Sequence, residues 1–352
     1  MSEPEGNPQK AADVLSDFRW FPEDYAPGMK SISFVRTDAA TLARQTFLDQ
    51  RWNRSDYART TLSLDAIADE LPAHGPPPEL NFIWHTSFCC STLIAAALQV
   101  PNRNLSLKEP ILLATAANMK RAATFDGAQV HPRLYDIVFR LLARRPDLDT
   151  AITVKPSNFA NILIRDSARF TRGKSLFLYS DLPSFLVSVA KSGLQLSKYA
   201  RRLFFGILRD EGKPLRWSAA DLFQMSDLEV AAIAWHMQIG EFRRSWGEMG
   251  ECRVASLNCD AFLAEPQRAL EKLDDFFGYR LGTETIRGIV NGPIFSHHAK
   301  LPQAPFGAEQ RRIEQDRARK LLGADLDRII AWSYSIFPEA PRDTLLPGVL
   351  LS

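Results

Sequence analysis

The sequence predicts an α/β protein in which a central parallel sheet is covered by helices on both faces. Three observations carry this prediction. From Leu80 onward, short apolar runs (NFIWH, AITVK, SLFLYS, RVASL) alternate with helical stretches, the pattern of strands joined by crossover helices. Leu80–Gln99 reads as a strand, a tight polar loop and an alanine-rich helix, which points a helix N-terminus and its free N–H groups at whatever sits on the loop. At 352 residues and 45% hydrophobic content, the chain suffices for one large domain with extensions.

In chain order, residues 1–17 are polar and acidic and are expected to be disordered; they lack the basic-then-apolar pattern of a signal peptide. Residues 18–75 form a small first module with a strand over Ser31–Arg36 and a helix over Ala39–Trp52. The proline-rich joint His74–Leu80 marks a boundary, and residues 76–352 form the main domain. No apolar run approaches the roughly 20 residues of a membrane span. A net charge of +2 argues against a nucleic-acid partner, which calls for a strong basic excess. The adjacent Cys89 and Cys90 do not readily pair with each other, so reduced thiols and a cytoplasmic location are expected, with Cys252 and Cys259 read as strand-associated and far apart.

The loop His85–Thr92 (HTSFCCST) has the length of a GxxxxGK[ST] nucleotide loop and ends in the same Thr. His85 and Cys90 replace its two glycines and Ser91 its lysine. Without that lysine the outer phosphates of a nucleoside triphosphate lack their cation, which argues against hydrolysis of ATP or GTP. Backbone amides and the hydroxyls of Thr86, Ser87, Ser91 and Thr92 remain suited to a phosphate, or the turn merely caps its helix.

Three further segments sit in a telling order: AITVKPSNFANIL (Ala151–Leu163), KSLFLYSDLPSFLVSVAKS (Lys174–Ser192) and RVASLNCDAFLAEPQRALEKLDDFFGY (Arg253–Tyr279). With HTSFCCSTL (His85–Leu93), they make the chain resemble the P-loop sulfotransferases, which use 3'-phosphoadenosine 5'-phosphosulfate (PAPS), and their bacterial members in particular. The resemblance runs from about Asn81 to the C-terminus. It implies a three-layer P-loop NTPase-like, sulfotransferase-like fold with a 5'-phosphosulfate loop at Thr86, Ser87, Phe88, Cys89, Cys90, Ser91 and Thr92. It also implies a 3'-phosphate site at Ser180 and Ser188, closed by a late basic loop carrying Lys300.

Two departures stand out. The loop lacks the family's Lys or Arg, having Phe88, Cys89 and Cys90 there, and the family's 3'-phosphate Arg falls on Ser180. Lys155, Lys108 and Lys300 are the substitutes by motif position. Lys155 precedes Pro156, which favours an extended conformation at a strand end and aims the side chain at the ligand face. The resemblance implies a Glu base near Glu109, a residue whose other reading is a carboxylate favoured beside a helix N-terminus. His85 is the other candidate for taking the acceptor proton or binding the sulfonate. Ser188 either contacts a 3'-phosphate or bonds back to its own helix, Asp181 caps that helix, and Trp235 and Gln238 pack the core.

The expectation is therefore transfer of a sulfuryl group from PAPS to a hydroxyl or amine of a small molecule or glycan, without a metal. The alternatives are a nucleotide- or phosphate-binding protein of the same fold without transfer, and a kinase-like phosphotransferase. The acceptor and the oligomeric state are not encoded in any transferable motif.

Overall fold

The computed structural model describes residues 10–71, 75–191, 193–210, 217–295, 297–298, 301–305, 308–340 and 346–351. An antiparallel sheet of β1 (Trp20–Ala26), β2 (Ser31–Arg36) and β3 (Arg59–Ser63) comes first. β4 (Asn81–His85), β5 (Asn104–Lys108), β6 (Ala151–Lys155), β7 (Ser175–Tyr179) and β8 (Val254–Asn258) then form a five-stranded sheet in the order β5-β6-β4-β7-β8. Every pairing in it is parallel.

Both faces of this sheet are buried, as the continuous apolar runs require. Successive side chains on a strand point to opposite faces, so Phe82 and Trp84 of β4 join one apolar cluster and Ile83 another. Phe177 and Tyr179 of β7 follow the first, and Leu176 and Leu178 the second. Helices Ile111–Asp126 and Asp227–Met249 cover one face and helices Ser91–Ala97 and Pro266–Phe277 the other. The result is a three-layer α/β fold. The chain leaves β4, passes beyond β6 to β5, and returns to fill the other side with β7 and β8. The carboxyl end of β4 is thus the switch point, where helices on the two faces part and leave a crevice.

Two expectations for the first 75 residues are corrected. Within the segment read as disordered, Ala11–Ser16 is a helix with Val14 buried. The carbonyls of Val14 and Leu15 accept from Arg144 Nη1, which gives this end a partner that its own composition does not reveal. The helix read over Ala39–Trp52 stops at Arg44. Beyond it, Leu48 N–H donates to Lys108 O at the end of β5, and Leu48 O accepts from Ile111 N–H. These ties hold Phe47 and Arg51 beside the carboxyl end of the parallel sheet. Trp20, Phe34 and Trp52 belong to the same apolar cluster as Leu112 and Phe139.

In the long helix Asp227–Met249, His236 is buried among Trp235, Tyr334 and Phe337, with Nε2 on Ser333 Oγ at 3.0 Å. Burial pushes its imidazole down from 6.5 to about 4. Between those values the unfolded chain binds the proton and the folded chain does not. His236 therefore contributes stability that is fully present above pH 6.5 and is lost as the pH falls towards 4. At about 1.4 kcal/mol per unit, the loss is about 3 kcal/mol. Urea midpoints measured from pH 7 to acid should fall in the parent and fall less in His236→Leu. Among the described residues no helix is long and apolar enough to cross a membrane.

Candidate functional site

The loop after β4 turns by placing three residues with side chains in the left-handed region: Ser87 (φ 77°), Phe88 (φ 54°) and Cys90 (φ 58°). Each costs roughly 1–2 kcal/mol relative to an ordinary conformation, and such strain collects where a backbone is shaped for a ligand. Successive amides in turns of this kind converge on one concavity suited to an anion. Cys90, at the position of the missing second glycine, adopts the conformation that glycine would have supplied. It also precedes helix Ser91–Ala97 without a side-chain cap, so the first-turn amides keep their donors.

A ring of hydrogen bonds holds the loop from behind. Ser87 Oγ is 2.6 Å from Tyr199 Oη, and Tyr199 donates to Asn158 Oδ1 at 2.5 Å. Asn158 Nδ2 donates to Gln238 Oε1 (3.0 Å), and Gln238 Nε2 closes the ring on Thr86 O (3.4 Å). The chain of bonds thus begins and ends on adjacent loop residues. Asn161 Nδ2 adds a bond to His85 O at 3.2 Å. Burial holds the Tyr199 phenol well above its ordinary pKa, against the opposing effect of its hydrogen bonds with Ser87 and Asn158. Tyr199→Phe would strand Asn158 Oδ1, at a cost of about 1–3 kcal/mol. The expected results are a lower melting temperature and faster amide exchange at Ser87 and Phe88; unchanged exchange there would show that the ring does not hold the loop.

His85 uses both ring nitrogens structurally. Nδ1 accepts from Ser87 N–H at 3.1 Å, so Nε2 carries the proton and donates to Pro156 O at 2.9 Å. In this arrangement it orients the loop instead of facing an acceptor. Phe88 packs edge-on against Phe185 and Tyr199, anchoring the turn where a cation was expected. Burial pushes the Cys89 thiol up to about 11, which leaves its backbone as the useful part. The Thr86 side chain is buried and its N–H donates to Leu178 O. Ser91 and Thr92 are buried in the first turn, and Thr92 Oγ1 has no hydrogen-bond partner among the described residues. Ser180 Oγ, at the end of neighbouring β7, is fully buried and likewise without a partner among them. Trp235 lies in the core as expected, but its Nε1 donates to Ser180 O.

At the ends of β5 and β6 stands a charged cluster. Lys155 is 1% exposed, with Nζ on Glu109 Oε1 and 5.7 Å from the centroid of the Phe47 ring. Glu109 (φ 55°) takes a second cation, Arg51 Nη2, at 2.8 Å on Oε2. Arg51 also pairs with Asp49 and lies over Phe47. Lys108 points away from this cluster: it donates to Ala43 O, and burial, reinforced by the charge of Lys155, pushes its ammonium down to about 8.

On the β7 side, Asp181 caps helix Leu182–Lys191 through Ser184 N–H, as expected. Ser188 Oγ donates to Ser184 O, four residues back, so its hydrogen is committed to the helix. Ser184 Oγ donates to Asp260. Lys300 lies outside the described residues. Cys259, read as strand-associated, instead begins helix Cys259–Ala264, and its Sγ is 3.1 Å from Cys90 Sγ, tying the loop to the end of β8. Among the described residues no three His, Cys, Asp or Glu side chains converge as a metal site.

Sequence reasoning missed Tyr199, Asn158, Asn161 and Arg51, and took Gln238 for packing alone. A signal existed for three of these five: Asn158 and Asn161 follow Lys155-Pro156 within the motif, and Gln238 is a polar residue in an apolar helical run.

No protein-family model matches the chain, and no curated protein matches it. Among solved structures, the sulfotransferase domain from the curacin biosynthetic pathway is similar over 75% of this chain and 99% of its own, at 13% identity and a TM-score of 0.42. The sulfotransferase domain from the Synechococcus PCC 7002 olefin synthase is similar over 71% and 96%, at 14% identity and 0.41. Sulfotransferase STF9 from Mycobacterium avium is similar over 73% and 79%, at 9% identity and 0.38. At these identities and TM-scores the likeness carries no argument about activity, which rests on the residues of the chain itself.

Proposed function

We propose that this protein binds PAPS at the loop after β4 and transfers its sulfuryl group to a hydroxyl or amine of a small molecule or glycan. One observation carries the reading. The loop is forced into three left-handed residues, and the buried hydroxyls of Thr92, in the first turn of the helix after that loop, and of Ser180, just past the end of neighbouring β7, lack partners among the described residues. Leaving a buried hydroxyl without a partner costs about 1–3 kcal/mol, which a ligand oxygen would relieve. The loop amides with Thr86, Ser87, Ser91 and Thr92 would hold the 5'-phosphosulfate, and Ser180 would face the 3'-phosphate with Lys300, joined by Ser188 only if its hydroxyl gives up its bond to Ser184 O. Lys155 is the cation nearest the loop motif in role, in place of the missing loop Lys or Arg. Glu109 is the group to take the acceptor proton, with Arg51 and Lys155 fixing its two oxygens. His85 supports the reaction by positioning the loop.

A second reading, a phosphate-binding protein without transfer, is favoured by one feature. Asp181 and Asp260 both bond to Ser184, one turn before Ser188, and place negative charge where a 3'-phosphate would lie. Calorimetric titration with 3'-phosphoadenosine 5'-phosphate (PAP), AMP and ATP separates the readings. Micromolar binding selective for PAP is expected. Equal affinity for PAP and AMP would support the second reading, and magnesium-dependent binding of ATP alone would support a phosphotransferase.

A further inference from the structure

All four cysteines are thiols, and two of them stand within reach of each other. Cys90, in the loop after β4, and Cys259, the residue that follows β8, are 169 positions apart in the chain, yet their Sγ atoms are 3.1 Å apart. The contact is made although β7 lies between β4 and β8 in the sheet. A disulfide bond is about 2.0 Å long, so joining the two sulfurs calls for an approach of about 1 Å. The other two cysteines are poorly placed for Cys90. Cys89 is its neighbour in the chain, and such a pair does not readily close; Cys252 precedes β8 and so stands at the opposite end of the sheet.

Cys259 is not the partner that can move. It is fully buried in an apolar cluster with Phe262 and Leu270, and the start of its helix is fixed by Asn258 Oδ1, which accepts from Asp260 N–H at 2.7 Å. Cys90 is half-buried, in a turn already held in the left-handed region. The approach therefore falls on the loop. Cys90 is also the one of the pair that solvent reaches, and an accessible thiol beside a second, resolving thiol is the arrangement of a redox-sensitive cysteine. The amides suited to an anion belong to the same short turn, and such constellations work only when held within about 0.5 Å of their productive geometry. A bond between Cys90 and Cys259 would thus act on the loop directly.

We propose that Cys90 is a site of oxidation by peroxide, resolved by Cys259 into a reversible disulfide that shifts the loop after β4 and holds it there. The Cys90 thiolate attacks hydrogen peroxide, the O–O bond breaks, and Cys90 becomes a sulfenic acid while the released hydroxide takes up the proton of the thiol. The Cys259 sulfur then displaces hydroxide from the sulfenic sulfur; the S–S bond forms, and the Cys259 proton leaves with that hydroxide as water. Two thiols lose two electrons and two protons, and one peroxide becomes two waters. The test uses the full chain, treated with hydrogen peroxide, alkylated and mapped by mass spectrometry. The expected product is one cross-linked peptide pair carrying Cys90 and Cys259, lost on treatment with dithiothreitol. In the cross-linked protein, amide exchange at Cys90 and Ser91 should slow, and affinity for PAP should fall by about tenfold, both reversed by dithiothreitol. Cys259→Ala should bind PAP as the reduced parent does and keep that affinity in peroxide; should this variant fail to fold, the reversal in the parent makes the same comparison. Oxidation of Cys90 without a cross-link, a cross-link to Cys89 or Cys252 instead, or a Cys90–Cys259 bond that leaves loop exchange or a measurable PAP affinity unchanged would each overturn the proposal. The affinity measurement rests on the phosphate reading of the loop. A reduced protein that does not bind PAP would sink that reading, and the peptide map and the exchange rates would still decide the disulfide.

Discussion

Glu109→Gln is expected to lower the stability of the protein by about 3 kcal/mol, before any effect on chemistry is considered. The reason is Lys155. Its ammonium sits almost wholly out of solvent, and Glu109 is its ion-pair partner among the described residues. Removing one member of a buried pair leaves the other charge uncompensated, a loss of about 3–5 kcal/mol; the lower end applies because the Glu109 side chain keeps 15% exposure. The Arg51 contact adds little, as Arg51 is half exposed and retains Asp49. Urea denaturation measures the loss, and a double-mutant cycle with Lys155→Met isolates the pair, since removing both charges should recover most of it. A loss below about 1 kcal/mol would show that the two groups do not depend on each other. Turnover of Glu109→Gln is therefore informative about base catalysis only when the variant is assayed where it remains folded, with Glu109→Asp as a variant that keeps the charge.

Gly173→Ala should be more damaging still. A Cβ at Gly173 would lie 1.8 Å from Leu80 O and 2.2 Å from Leu80 C, both backbone atoms that no side-chain rotation can move aside. On either side the two segments are bonded together: Arg172 N–H to Pro78 O, Lys174 N–H to Asn81 Oδ1, and Phe82 N–H to Lys174 O. The added methyl must push β4 away from β7 just where β4 enters the sheet. The expected cost exceeds about 4 kcal/mol, seen as loss of the cooperative thermal transition or of soluble protein. A variant melting within a few degrees of the parent would show that this junction is able to relax. The effect reaches function because β4 carries the loop: a shift of its entry moves His85 and every residue from Thr86 to Thr92.

The sequence by itself determined the parallel sheet, the strand-loop-helix unit and the position of Lys155 at a strand end. Those follow from patterns within short windows: apolar runs, a proline after the lysine, and hydroxyls at a helix start. The capping role of Asp181 belongs with them, since its partner lies three residues away. Ser188 shows the limit of such windows, because its hydroxyl had two available partners and only the helix geometry decided for Ser184 O. The cluster of Lys155, Glu109, Arg51 and Phe47, the contact of Cys90 with Cys259, and the ring through Tyr199, Asn158 and Gln238 were decided by tertiary structure alone. Apart from Phe47 and Arg51, their members stand tens to more than a hundred residues apart, and a charge or an amide carries no mark of its partner until the sheet order sets which strand ends are neighbours. That order also made β4 the switch point. A buried polar group must find a partner wherever the fold brings one within reach, so the chemistry of this site was chosen by packing, and the sequence could name its parts without naming their pairs.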